Sequence, residues 1–249
     1  MRTAQDFIIE IPVLKNTDKI TKARQILRDD RFREVYVVDS RKNLLGYIDI
    51  TDGLRVTSTK SNVTVEGFIK DAPAVHAGDS IEAVAKLMRD YRTDSAVVVN
   101  SEPRIIGGVL LSDLFPVLIS RNVLTGPVSD RMTRKVVAMS PGEEIQKVHA
   151  RILESGFTTF PVVEKKQVAG VISRRDLISA RRVRAAIAQH SPALVASVMV
   201  RDVVTIAPDE PVSRAAELIV AHDVSLLPVV ENGRLVGVLN RHDVLRALA

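Results

Sequence analysis

The chain has no cysteine and no tryptophan in 249 residues. Without cysteine there is no disulfide, no thiolate metal site and no cysteine nucleophile. Aromatic residues make up only 4%, which offers the bases of a single nucleic-acid strand few stacking platforms. No apolar run approaches the roughly 20 residues of a membrane-crossing helix. The opening MRTAQDFIIE has no secretory apolar stretch, because Asp6 and Glu10 interrupt it, so a cytoplasmic location is the expectation. His76, His149, His190, His222 and His242 are scattered, with no metal-ligand spacing. No serine stands in a nucleophile-elbow motif. These absences predict a chain that is not an enzyme and needs no catalytic cofactor or metal.

What is present is an ordinary globular composition, 46% hydrophobic and 26% charged, in a chain long enough for one or two domains. The formal charge of +5 is uneven: 18 basic face 17 acidic residues up to position 124, and 17 face 13 beyond it. Arg174, Arg175, Arg181, Arg182 and Arg184 make up much of the later excess. Such a cluster is either a solvated helix face or a surface for nucleic acid, an acidic partner or a phosphorylated ligand. The stretch LISARRVRAAIA, 177–188, reads first as an amphipathic packing helix and second as a docking surface.

A seven-residue skeleton occurs twice, as GVISRRD (170–176) and GVLNRHD (237–243), and more loosely as GYIDITD (46–52) and GGVLLSD (107–113). The closing aspartates Asp52, Asp113, Asp176 and Asp243 lie 61, 63 and 67 residues apart. Ile20, Ile81, Ile145 and Val212 each open an apolar pattern that returns three and seven places later, the spacing of one helix face. Acidic or small polar residues just before each start suit a helix N-terminus. Sixteen residues after each anchor stand Tyr36, Val97, Pro161 and Pro228, heading the runs YVV, VVV, PVV and PVV. These read as buried strands, with proline admitted as a first residue. A turn, a second strand and a helix follow, and a further strand such as VVTIA (203–207) precedes the unit. Four copies at one interval make an internal repeat. A three-stranded sheet cannot bury both faces alone, so the copies are expected to pack first with second and third with fourth. RNVLTGPVSD, 121–130, is the expected boundary between the pairs.

Four units that each carry an h-P-V-V-like strand and a G-h-x-S/T-x-x-D ending resemble cystathionine-β-synthase (CBS) domains. The third copy, with DRMTRKVVAMSPGEEI, FPVV and GVISRRDL, carries the resemblance most fully, and the fourth follows with SVMVRDVVTIAPDEPV, LPVV and GVLNRHDV. The resemblance spans roughly residues 5–246. It implies an α+β fold of four tandem β-α-β-β-α repeats, at 1–60, 61–120, 121–185 and 186–249, paired into two pseudo-twofold modules. It also implies two clefts per module for adenine nucleotides or adenosyl compounds, and a sensor that acts on an effector protein. The arrangement is similar to the regulatory gamma subunit of AMP-activated protein kinase, in which two modules pack as a disc. A homodimer is compatible with it.

The closing motif suits such a ligand on physical grounds. Asp52, Asp113, Asp176 and Asp243 are candidates to accept hydrogen bonds from both vicinal hydroxyls of a ribose. The helix start offers N–H groups to phosphate, helped by Ser173, Arg174, Arg175, Asn240, Arg241 and His242. Val136, Val137, Val203, Val204, Pro161 and Pro228 are candidates for an apolar adenine wall with backbone polar groups. The same Ser173-x-x-Asp176 pattern is also a capping box, which requires no ligand, and the two roles are compatible. The second copy has Leu110 at the cap position, which predicts a weak or empty site even if Ser112 substitutes. Asp49 sets a like charge beside any phosphate in the first copy, with Arg33 as a partial offset. The residues before the P-V strands, Thr158-Thr159 and Ser225-Leu226, carry no charge where the gamma-subunit pattern is basic.

The reading is therefore a non-catalytic sensor of AMP, ADP, ATP, S-adenosylmethionine or methylthioadenosine that signals to an effector protein, with the third and fourth copies best equipped. The competing reading is a scaffold or nucleic-acid-associated protein with vestigial clefts, resting on the arginine cluster and a pI of about 9.6.

Overall fold

The computed structural model describes all residues except 1, 29–30, 57–60, 180–182, 184–186, 188–191 and 249. Arg181, Arg182 and Arg184, and with them most of the 177–188 stretch, lie outside the described residues. The chain divides into two compact units, one over 1–122 and one over 123–247.

Each apolar anchor opens a helix. These are α1 (Ile20–Ile26), α3 (Ile81–Tyr91), α5 (Ile145–Ser155) and α7 (Val212–His222). The faces drawn by the three- and seven-residue spacing are buried throughout: Ile20/Ala23/Leu27, Ile81/Val84/Met88, Ile145/Val148/Ile152 and Val212/Ala215/Ile219. A fully buried aliphatic side chain of this size contributes about 1.5–3 kcal/mol, so these stripes anchor each repeat. The acidic residues ahead of the helices mostly act on the turn before them. Asp18 accepts from the Lys15 N–H, Asp79 from His76 and Glu143 from Ser140, while Ser80 caps α3 through the Ala83 N–H. Arg92, Gly156 and Asp223 close α3, α5 and α7 in left-handed conformation.

An antiparallel hairpin follows each of these helices: β2/β3 (Glu34–Val38, Leu44–Asp49), β5/β6 (Ser95–Val99, Ile105–Leu110), β7/β8 (Thr159–Glu164, Gln167–Ser173) and β9/β10 (Leu226–Glu231, Arg234–Asn240). Short helices end the repeats: α2 (Ile50–Arg55), α4 (Leu111–Ser120), α6 (Arg174–Ser179) and α8 (Arg241–Leu245). In the first unit a parallel third strand joins each hairpin, β1 (Val13–Lys15) on β2 and β4 (Ala74–Val75) on β5.

The second unit departs from the sequence expectation here. VVTIA at 203–207 is not a strand: only Ile206 forms a parallel bridge, to Val229, as Met139 does to Val162. Val136, Val137, Val203 and Val204 are half-buried and lie outside regular structure. Nor do the prolines head their strands, since Pro161 and Pro228 are third residues of β7 and β9. The shortened parallel pairing has one cause. In the second repeat the Val97 N–H donates to the Pro73 carbonyl and carries the parallel ladder one step back. Pro161 and Pro228 occupy the place of Val97 and have no N–H, so the carbonyls of Val137 and Val204, which occupy the place of Pro73, cannot be paired by them. The bridge then begins one step later, with Met139 N–H on the Pro161 carbonyl at 2.9 Å and Ile206 N–H on that of Pro228 at 3.1 Å.

Within each unit the repeats exchange their leading segments. Ile9 bridges Gly108 of the second repeat, and Lys70 bridges Tyr47 of the first. In the second unit Thr133 bridges Val238 and Val200 bridges Val171. Each leader therefore lies along the partner's second strand before crossing to its own sheet. The repeated glycine of the closing motif is the contact point. A Cβ on Gly107 would stand 2.8 Å from the Ile9 carbonyl oxygen, and on Gly170 2.8 Å from that of Val200. On Gly46 it would meet the Lys70 carbonyl, and on Gly237 the Met132 sulfur at 2.7 Å. A side chain at Gly46, Gly107 or Gly170 would push the exchanged segment's backbone away, whereas at Gly237 it first meets the flexible Met132 side chain.

Candidate functional site

Three of the four closing aspartates serve as capping-box residues. Ser173 donates to Asp176 Oδ2 through both its N–H and its hydroxyl, at 2.7 Å each, and its Oγ stands 3.4 Å from the Asp176 nitrogen. Asn240 Oδ1 accepts from the His242 and Asp243 N–H groups at 2.9 Å, and its own N–H reaches Asp243 Oδ2 at 3.0 Å. Asp49 and Asp52 repeat the pattern. In the second copy Leu110 takes the cap position, where it has no side-chain acceptor, Ser112 is half-buried and Asp113 is exposed.

The four carboxylates differ in what else holds them. Asp52 is fully buried, and Lys70 lies 2.7 Å from its Oδ2 and 3.2 Å from Asp49 Oδ2. Burial, then the charge of Asp49, raises the Asp52 carboxyl above the ordinary aspartate range, against the lowering pull of Lys70. Asp243 is paired through Oδ1 with Arg246, whose guanidinium also donates to the Arg131 carbonyl at 2.9 Å. Asp176 is half-buried, and its described hydrogen bonds, both from Ser173, fall on Oδ2. Burial raises its carboxyl too, opposed by the Ser173 bonds and the nearby Arg175 charge.

The basic residues of the motif divide. Arg174 and Arg175 are half-buried at the start of α6, and the Arg174 N–H donates to the Thr158 carbonyl at 2.8 Å. Arg241 is buried and turned back onto α7's end, with its Nε on the Val224 carbonyl at 3.0 Å and its Nη2 on Asp223 at 2.7 Å. That engagement holds Arg241 on the end of α7. His242 is half-buried and contributes its N–H to the cap.

The exchanged leaders bring the apolar candidates to these motifs. Thr133 lies on Val238 just before Asn240, and Met139 lies on the other hairpin, so Val136 and Val137 cross between the two beside the Asp243 motif. By the same exchange Val203 and Val204 cross beside the Asp176 motif, between Val171 and Val229. The hairpins also meet at their first strands, where the Thr159 and Ser225 hydroxyls stand 3.1 Å apart. The equivalent place in the first unit is charged. Arg33 pairs with Asp94 at 2.8 Å rather than offsetting Asp49, and buried Glu34 accepts from the Ser95 hydroxyl at 2.7 Å, with the Tyr36 hydroxyl 3.0 Å from it.

Four segments, 5–58, 65–120, 128–183 and 195–249, match the model of the CBS domain. The chain belongs to the CBS domain family. CBS domains are generally regulatory, and their pairing in tandem accounts for the exchanged leaders. The chain is 28% identical over 262 residues to the uncharacterised protein MJ1225 of Methanocaldococcus jannaschii, covering 94% of this chain and 93% of that one. The MJ1225 crystal structure, proposed to be an archaeal homologue of g-AMPK, matches with a TM-score of 0.85 at 21% identity over 99% of this chain and all of that one. Half of the chain, 49%, is 32% identical to 24% of the homoserine O-acetyltransferase of Methanococcoides burtonii, an enzyme that carries CBS repeats as one part. A CBS pair of protein MJ0100, solved with 5-methylthioadenosine and S-adenosyl-L-methionine, matches 49% of this chain and 94% of its own at 23% identity and a TM-score of 0.42. No helix among the described residues is long and apolar enough to cross a membrane.

Sequence reasoning missed three participants. Lys70 and Asp223 arrive through the tertiary fold and leave no local signal. Arg246 had one: an arginine three residues after the aspartate occurs at Arg55 and again at Arg246, the spacing of adjacent helical side chains.

Proposed function

We propose that the chain is a non-catalytic sensor whose second unit binds adenosine-containing ligands and passes their occupancy to an effector protein. The observation that carries this reading is the passage of Val203 and Val204 from Val171, on the strand that leads to half-buried Asp176, to Val229, with a Val204 carbonyl that Pro228 cannot pair. Ribose hydroxyls would donate to Asp176 Oδ1, leaving Oδ2 to its cap, and the adenine amine would donate to the Val204 carbonyl between Val203 and the wall of β9. The Asp243 motif, with Val136, Val137 and Pro161, forms the second such place, where a ribose must displace Arg246 from Oδ1.

The polar-tail end favours a ligand of little negative charge. Its cross-repeat position holds the hydroxyls of Thr159 and Ser225, Arg241 is engaged by Asp223, and Arg174 and Arg175 stand at the start of α6. S-adenosylmethionine or methylthioadenosine therefore fits better than ADP or ATP. Ligand that binds one arrangement of the two repeats more tightly shifts the unit towards it, which is how a site without chemistry signals.

The test is calorimetry and thermal unfolding with AMP, ADP, ATP, S-adenosylmethionine and methylthioadenosine. Ligand at a hundredfold excess over Kd stabilises by about 2.7 kcal/mol. Asp176→Ala should weaken binding roughly ten- to a hundredfold, the worth of charge-assisted hydrogen bonds, while Asp113→Ala changes nothing. Full affinity in Asp176→Ala removes the site assignment. A steep salt dependence of nucleic-acid binding with no adenosyl response would instead favour the scaffold reading.

A further inference from the structure

Lys70 stands apart from its counterparts in the other leaders. Its backbone is fixed on β3, N–H to the Tyr47 carbonyl and carbonyl to the Tyr47 N–H, both at 2.9 Å. The equivalent residues on the other three hairpins, Ile9, Thr133 and Val200, bear no charge. Its ammonium reaches both carboxylates of the first repeat's cap and lies 5.7 Å from the centre of the Tyr47 ring. Yet the fit is incomplete. Asp52 Oδ1 is buried without a hydrogen-bond partner, and the Arg55 guanidinium stops 3.8 Å from it. A buried acceptor left unmet costs about 1–3 kcal/mol, so the place has room in its bonding for a donor that Lys70 does not supply.

We propose that Lys70 is a built-in occupant of the first repeat's carboxylate site, an autoinhibitory contact that keeps the first unit closed with no ligand bound. The inference rests on the reading of the closing aspartate as a ribose acceptor. Lys70 belongs to the second repeat's leader and its carboxylate partners to the first repeat, so the ion pair ties the two repeats together as a bound ligand would. The Arg33–Asp94 pair and the Glu34–Ser95–Tyr36 cluster fill the cross-repeat position in the same unit. With Lys70 gone, Asp49 and Asp52 keep their two carboxylates and lose the cation that reaches both, while the Arg55 guanidinium stops 3.8 Å from Asp52 Oδ1. The ligand able to enter must then bring both hydroxyl donors and positive charge, which describes S-adenosylmethionine and excludes the phosphorylated nucleosides.

The experiment is titration calorimetry of the full chain with S-adenosylmethionine and with ATP. Lys70→Met should bind one more equivalent of S-adenosylmethionine than the parent and no more ATP. Lys70→Arg, which keeps the cation, and the double variant Lys70→Met/Asp52→Ala should both match the parent. An unchanged equivalent count in a folded Lys70→Met overturns the proposal. If that variant does not fold, Lys70→Gln, which retains a donor for Asp52, should show the same gain. Failure of both to fold also overturns it, because the cation is then required by the fold rather than standing in for a ligand. A parent chain that binds nothing would count against the Asp176 site alone, since the Lys70 result is a difference that depends on Asp52.

Discussion

Asp176 carries its charge where burial resists it, and that sets the direction of its pH dependence. Its folded carboxyl, like that of Asp52, titrates above the ordinary aspartate value of about 3.9. A group raised in the folded state contributes stability that is present at low pH and lost as pH rises through the folded value. Ribose binding runs the other way, since it uses the ionised form. On acidification from neutrality the affinity for an adenosyl ligand should therefore decline earlier than an ordinary aspartate would dictate, while these two groups make the ligand-free chain relatively more stable. Calorimetry and denaturant unfolding across that range measure both. An affinity flat down to about pH 4 would assign the ribose to another residue. Much of this was legible: Asp176, Ser173, Asp243 and Asn240 sit where the motif put them. Arg241 was not, because its acidic partner, Asp223, lies at the end of a preceding helix and meets it only once the hairpin has folded back.

At the scale of elements, the prolines of β7 and β9 do the work that separates the two units. A proline in mid-strand removes one ladder hydrogen bond, and here the loss falls on the parallel edge beside Val137 and Val204. Pro161→Val and Pro228→Val, which restore the residue type of Val97, should lengthen the parallel pairing by one step and occupy the carbonyl assigned to adenine. One lost hydrogen bond is worth about 1 kcal/mol, so Pro228→Val should weaken adenosyl binding roughly fivefold. Hydrogen exchange should show a newly protected amide at 228 in the same variant. Undiminished affinity alongside that protected amide would remove the Val204 carbonyl from the site. Helix starts and the two hairpin strands of each copy could be read from the sequence because they depend on local periodicity. That the prolines stand third in their strands could not, since strand length is set by the partner strand and the turn.

For the whole molecule, the prediction concerns where ligand acts. Saturating adenosyl ligand should slow amide exchange in the hairpins and short helices of the unit over 123–247 and leave the unit over 1–122 unchanged, because the second repeat lacks a cap and the first is already held by Lys70. Exchange mass spectrometry reads this directly. Equal protection in both units would contradict the proposed division into a responsive and a closed half.

The sequence alone determined the repeat, its four helix faces, its hairpins and the carboxylate that ends each copy, because each of these is written in spacings of a few residues along one segment. It displayed the recurring glycine but not its cause. Only the tertiary structure decided that each leader crosses to its partner's hairpin, pressing on that glycine and bringing Lys70 to Asp52, Val203 and Val204 to the Asp176 motif, and Arg33 to Asp94. Those contacts join residues of different repeats, whose meeting depends on how two hydrophobic faces pack and not on any local pattern.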